Sequence, residues 1–278
     1  MSHAEELTET LAACCAVPEE EIDIAEAALI AAAFDREECD LTSYRAHLAE
    51  IAKKVAALAP DLAPDDADGR AEALRAVIAE EYSYCGDTLT YHDMQNASLL
   101  RVIDRRKGLP VALAIIYLHA ARAQGWRADG INFPGHFLIR VEAQGARVII
   151  DPFNGGIERN VRDLRDFLKQ MSGVEVELAP EHYAPITNRG ILIRLLNNIK
   201  LRALSAGELN RATDIIERML IVAPGEAALL REAGLCHSRL GNLRRAREAL
   251  EQFVERAEDA AARQEAEAIL RDVRAKLN

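Results

Sequence analysis

Residues 137–151 place an apolar side chain at every second position on either side of a Gln144-Gly145 dipeptide. Period-two alternation interrupted by such a pair is the mark of a β-hairpin, and a two-residue turn there pairs Ala143 with Ala146 and Glu142 with Arg147. Phe137, Ile139 and Val141 then share one face with Ala146, Val148 and Ile150. His136, Leu138, Arg140 and Glu142 share the other with Arg147, Ile149 and Asp151. A slip of one residue would mix the two sets, so the pattern specifies its own register. That register makes His136 and Asp151 diagonal neighbours on one face, within side-chain reach.

A carboxylate beside an imidazole fixes the tautomer of the ring and stabilises its protonated form, as in nucleophile–His–Asp triads. The missing partner would be a thiol or hydroxyl within roughly 3 Å of the histidine. A natural place for it is the start of the helix after Gly108, where the helix dipole lowers a thiol pKa. That helix, 111 to about 124, is apolar almost all round and belongs at the centre of its domain, with Gly125 ending it.

Most of the remaining chain reads as helix. Residues 4–16 and 21–34 form two helices around Pro18. A third starts at Asp40 or Thr42 and presents Tyr44, Leu48, Ile51, Val55 and Leu58 on one face. A loop over 61–69 leads to a helix over roughly 70–82. From 83 to 98 the periodicity fails, and a loop rich in aromatic and polar groups (Tyr84, Cys85, Asp87, Tyr91, His92, Asp93, Asn96) suits the wall of a site. A short amphipathic helix over 99–106 follows. Beyond the hairpin come a helix over 160–171, a short strand at 174–178 and a linker over 181–188.

The last third repeats. Gly207 and Gly241, Leu209 and Leu243, Ala212 and Ala246, and Ile216 and Leu250 all lie 34 residues apart. That is the tetratricopeptide (TPR) period, with Pro224 where a repeat ends. Small residues let the two helices of a repeat cross closely, and the helix at 261–277 suits a solvating cap. Two repeats and a cap are short for independent stability, so they are expected to pack on the preceding domain. Cys236 falls in the second repeat's first helix, as packing.

Charge excludes some functions. Residues 1–82 carry 20 Asp and Glu against 6 Lys and Arg, whereas residues 83–278 carry 25 against 28. The acidic third would repel phosphate backbones, so nucleic acid is not an expected partner. Apolar runs are shorter than the roughly 20 residues of a membrane span. The start lacks the pattern of a signal peptide, and five cysteines make no disulfide framework. A reduced cytoplasmic setting is the expectation. Cys14 and Cys15, among alanines, read as small core residues.

The run Asp93…Asn96…Leu99…Val102-Ile103-Asp104-Arg105-Arg106-Lys107-Gly108-Leu109-Pro110, the block Asn132-Phe133-Pro134-Gly135-His136-Phe137 and the block Asp151-Pro152-Phe153-Asn154-Gly155-Gly156 resemble the bacterial SirB-type transglutaminase-like family. The likeness covers about residues 20–270. It implies an α+β, mostly helical fold: a transglutaminase-like (papain-like) core with a small antiparallel sheet, followed by α-helical TPR hairpins. The expected division is an acidic helical region over 1–82 packed on the core, the core over 83–185, and two TPR repeats with a capping helix over 186–278. In catalytic members the triad is a cysteine at a helix start, then histidine, then aspartate. His136 and Asp151 match the second and third. The cysteine position falls near Pro110 or Val111, and no nucleophile occupies residues 109–114.

These observations favour a non-catalytic protein- or peptide-binding scaffold or regulator, working through the TPR helices or a core groove, without cofactor. The competing expectation is a cysteine hydrolase or acyltransferase that uses Cys85 with His136 and Asp151. A regulatory role in a larger assembly is a third. His92, Asp93, His119 and His136 have no metal-ligand spacing. What lies within hydrogen-bond reach of His136 separates the first two: a sulfur means chemistry, whereas a carbonyl or the hydroxyl of Tyr84, Tyr91 or Tyr117 means architecture.

Overall fold

The computed structural model describes residues 2–36, 39–172 and 177–277. The chain divides into two compact units, Met1–Leu195 and Leu196–Asn278.

In the first unit, α1 (His3–Cys15) opens with a capping box: Ser2 Oγ accepts from Glu5 N–H while the Glu5 carboxylate accepts from Ser2 N–H. Asp23 caps α2 (Ile24–Ala33), whose alanines and isoleucines are buried on every side except at Glu26. Asp40 accepts from the backbone of Thr42 at the start of α3 (Thr42–Leu58). Leu48, Ile51 and Val55 are buried along that helix as its period requires, but Leu58 is exposed, because the chain turns away at Ala59–Asp61. The helix expected over 70–82 is divided: α4 (Ala67–Arg75) passes into a π-helical turn, Ala76–Glu81.

The centre of the unit is α6 (Pro110–Arg122), buried from Pro110 to Ala121 save for a partly exposed His119. Proline suits its first position, where the helix needs no N–H. It packs against α2, α3 and α5 (Leu99–Arg105) and against the sheet. Each such buried aliphatic side chain contributes roughly 1.5–3 kcal/mol, which makes this helix the pivot of the fold.

The sheet has β3 (Arg127–Ile131), β4 (Leu138–Ala143), β5 (Ala146–Asp151), β6 (Ile157–Glu158) and β7 (Pro185–Ile186) in the order β6-β5-β4-β3-β7, antiparallel throughout. The β4–β5 hairpin has the register read from the alternation, with Ala143 opposite Ala146 and Ile139 opposite Ile150. Gln144 and Gly145 both have positive φ, the turn that matches the twist of a tight hairpin. Two segments read as irregular turn out to pair. In the loop after the π-turn, β1 (Cys85–Gly86) runs parallel to β2 (Lys107–Gly108). The expected linker includes β7, with Ile131 opposite Pro185, on a sheet edge where proline is tolerated. Of the strand expected at 174–178, residues 174–176 lie outside the described residues, and residues 177–178 are not in a strand. The helix expected over 160–171 is α7 (Val161–Ser172).

Helix α8 (Asn188–Ser205) carries the boundary between the units. In the second unit, α9 (Leu209–Val222), α10 (Ala227–Leu240), α11 (Leu243–Arg256) and α12 (Ala260–Leu277) continue the array. The two ends that precede α9 and α11 are built identically, 34 residues apart. Glu208 and Asn242 N–H bond back to Ala203 and His237, while Gly207 and Gly241, at φ +75 and +77, bond to Leu204 and Ser238. This is the Schellman closure, and it explains the glycine period. Ala212 and Ala246 are fully buried, and a Cβ on Gly234 would fall 2.6 Å from Leu250 Cγ, so small residues set how closely α10 and α11 approach.

Candidate functional site

Asp151 ends β5, is wholly buried, and accepts six hydrogen bonds. Oδ1 takes His136 Nε2 at 3.0 Å and the backbone N–H groups of Phe153 and Asn154. Oδ2 takes Asn154 Nδ2 at 2.7 Å and Arg159 through Nε at 3.0 Å and Nη2 at 2.8 Å. Burial by itself would raise the carboxyl pKa, but His136, Asn154 and Arg159 together hold it down, from 3.8 to about 2. The Asp-Pro-Phe-Asn-Gly-Gly block makes this possible. Pro152–Asn154 is a 3-10 turn capped by the Asp151 side chain, and Gly155 and Gly156 have φ +71 and +74. They return the chain so that Ile157 lies opposite Asp151 and Arg159 N–H reaches Ile149. Tyr117 adds a steric demand: a Cβ on Gly156 would fall 2.6 Å from its hydroxyl. That hydroxyl is buried and has no hydrogen-bond partner among the described residues.

His136 follows a turn closed by its own N–H to Phe133 O, with Gly135 at φ +70, and lies just before β4. Its ring is 5.2 Å from that of Phe167 and meets the Phe153 ring edge-on at 6.2 Å. The Arg159 guanidinium covers the Phe167 ring at 5.0 Å. With Nε2 given to Asp151, Nδ1 is the nitrogen left to meet a ligand, and the side chain keeps 18% exposure. The structure therefore brings His136 and Asp151 together.

Cys85 lies on β1, which packs beside the Pro152–Asn154 turn, and a Cβ on the adjoining Gly86 would fall 2.5 Å from the Phe153 ring. Its sulfur makes no hydrogen bond to His136 among the described residues. Among the described residues, Tyr84 and Tyr117 make no hydrogen bond to this histidine. Tyr84 hydroxyl bonds His47 and Arg106, Tyr117 faces Gly156, and Tyr91 packs its ring on Phe153 and His92. At the helix start facing this region, Leu109, Pro110, Val111 and Ala112 are all buried and apolar, and Leu109 N–H is held by Asn96 O. Asp93 caps the Met94–Ala97 turn, and His119 sits in α6, where burial lowers its pKa. Among the described residues no three His, Cys, Asp or Glu side chains gather as a metal site.

Arg159 is the residue that sequence reasoning missed. A wholly buried aspartate needs more neutralisation than one imidazole, and the Gly-Gly turn is the signal that the chain doubles back to supply it. A second buried network underlies the 83–98 loop. Arg105 reaches Asp87 at 2.7 Å and Asn96 at 2.8 Å, and Thr90 binds Asp87 through both N–H and hydroxyl, which keeps the Asp87 carboxyl well below its usual range.

Residues 42–197, more than half of the chain, match the Transglutaminase-like superfamily. The chain belongs to that superfamily. Residues 199–271 match the Tetratricopeptide repeat, so the transglutaminase-like unit is followed by TPR helices. The chain is similar to a UPF0162 protein of Xylella fastidiosa (strain 9a5c), 32% identical over 189 residues that cover 66% of each. A UPF0162 protein of Vibrio cholerae is 30% identical over 63% of this chain and 65% of its own. Human F-box only protein 21 is 26% identical over 46% of this chain but only 21% of its own length. The similarity thus spans just under two thirds of the bacterial relatives and a fifth of the human one. No helix among the described residues is long and apolar enough to cross a membrane.

Proposed function

We propose that this transglutaminase-like/TPR chain is a non-catalytic, protein- or peptide-binding scaffold or regulator of the SirB type, in which His136 and Asp151 persist as a structural and binding pair. The observation that carries this reading is the apolar, buried first turn of α6, with Pro110 and Val111 where a nucleophile would stand. Arg159 supports it: the Asp151 charge is already answered by a guanidinium, so it is not reserved for a developing imidazolium. On the TPR side, Leu201 and Leu204 of α8 are 52% and 41% exposed, an apolar pair available to a partner chain.

Thiol labelling tests the first half. Iodoacetamide at neutral pH should modify Cys85 slowly and at the same rate in His136→Ala. Rapid stoichiometric modification that disappears in His136→Ala would establish the cysteine hydrolase or acyltransferase reading instead. For the second half, partners recovered by the full chain should survive His136→Ala and be lost in Leu201→Glu/Leu204→Glu. Recovery that is unchanged in the leucine variant removes the TPR face from the proposal.

A further inference from the structure

Beside the Asp151 network, on the face of the sheet against α7, lies a cleft of about 390 Å³ that the proposed scaffold role does not use. Its volume is within the range of small-ligand sites, about 300–1,000 Å³. Ile149, Leu164 and Tyr183 give it an apolar lining, and Arg147, Arg159 and Arg165 stand around it. Glu158 is the one carboxylate among the described residues that line it.

The state of each guanidinium decides what the cleft can take. Arg140 also lines it but is consumed by Asp129 and Glu142. Glu142, the cross-strand neighbour of Arg147, is engaged by Arg127 and Arg140, and Arg147 makes no ion pair among the described residues. Arg165 likewise makes none. Arg159 gives Nε and Nη2 to Asp151, and its Nη1 makes no hydrogen bond among the described residues. The first amides of α7 do not compete for an anion. Asn160 Oδ1 already accepts from Arg162 and Asp163, and the Asp163 carboxylate accepts from Asn160 N–H. The charged donors to a ligand are therefore the arginine side chains, whose planar forks suit a carboxylate.

We propose that this cleft binds an organic carboxylate on a short apolar body, the anion held by Arg147, Arg165 and the spare edge of Arg159, and the body laid on Ile149, Leu164 and Tyr183. Two sources share this chemistry, a free short-chain acid and the carboxy terminus of a peptide that ends in an aliphatic residue.

The test is calorimetric titration of the full chain with octanoate, octanamide, and a blocked tripeptide ending in leucine, as free acid and as amide. At least one acid should bind, with its amide weaker by about tenfold or more, the loss expected when a charge-assisted contact becomes neutral. Arg147→Ala/Arg165→Ala should weaken the same acid by about tenfold or more. Both side chains are exposed and make no ion pair among the described residues, so the urea midpoint of this variant should match wild type and a folding defect cannot mimic the result. The acid that binds more tightly identifies the source. Equal affinity for acid and amide, no binding by either acid, or an unchanged affinity in the double variant would overturn the proposal.

Discussion

Replacing Asp151 by asparagine removes one negative charge from a fully buried position while keeping the shape of the side chain. Asparagine can still cap the Pro152–Asn154 turn through its carbonyl oxygen, but it sets an amide against the Arg159 and Asn154 donors. Breaking a buried pair in this way costs about 3–5 kcal/mol at neutral pH. Part of that loss has a pH signature. The native carboxyl lies at about 2 against an ordinary 3.8, a difference of about 2 kcal/mol at about 1.4 kcal/mol per unit. Because the folded-state pKa is the lower one, this stability is present in full above pH 3.8 and is lost as the pH falls through about 2. Urea unfolding of wild type and Asp151→Asn at intervals from pH 6 to pH 2 measures it, since the other carboxylates cancel in the difference. The gap between the two proteins should be flat down to about pH 4 and then shrink by about 2 kcal/mol. A gap that stays constant to pH 2 would refute the view that Asp151 is held ionised by its partners.

Other consequences can be measured directly. Gly156→Ala should destabilise the protein by about 2–4 kcal/mol in urea melts, from the left-handed backbone and the collision with Tyr117; a neutral substitution would mean that the turn readily adjusts. Arg105→Leu should cost about 3 kcal/mol or more by leaving buried Asp87 without its cation, and it should open the 83–98 loop to limited proteolysis. Burial, then the neighbouring thiol and carboxylates, push the Cys14 thiol up to about 11, so Ellman's reagent should modify it slowly at pH 7 and markedly faster near pH 11.

The parts of the fold that could be read from sequence are those whose information is local. Gln144-Gly145 and the alternation around it fixed the register that joins His136 to Asp151. Gly207 and Gly241 announced the helix ends because a positive φ leaves few alternatives. The emptiness of the α6 start was visible in Pro110 and Val111 themselves. What escaped depends on distant partners. Strands of two residues, such as Cys85–Gly86 and Pro185–Ile186, have no periodicity of their own and exist only because a neighbour supplies hydrogen bonds. Leu58 continues an apolar period but lies where its helix ends, and nothing in the stripe reveals that nothing covers it. Arg159 was hidden for a similar reason. Its role is set by a carboxylate eight positions earlier, across a turn whose closure depends on two left-handed glycines.

The short β7 strand has a consequence for keeping the protein in solution. Without it, Gly130 and Ile131 of β3 would present unpaired backbone groups next to a buried apolar face, a template to which another copy of the chain could add a strand. Pro185 closes that template with a residue that has no N–H to offer onward, and the chain then leaves the sheet at once as α8. Any shortening of the protein that removes residues 185–186 would take away this guard, and self-association would follow even where the site around Asp151 remained intact.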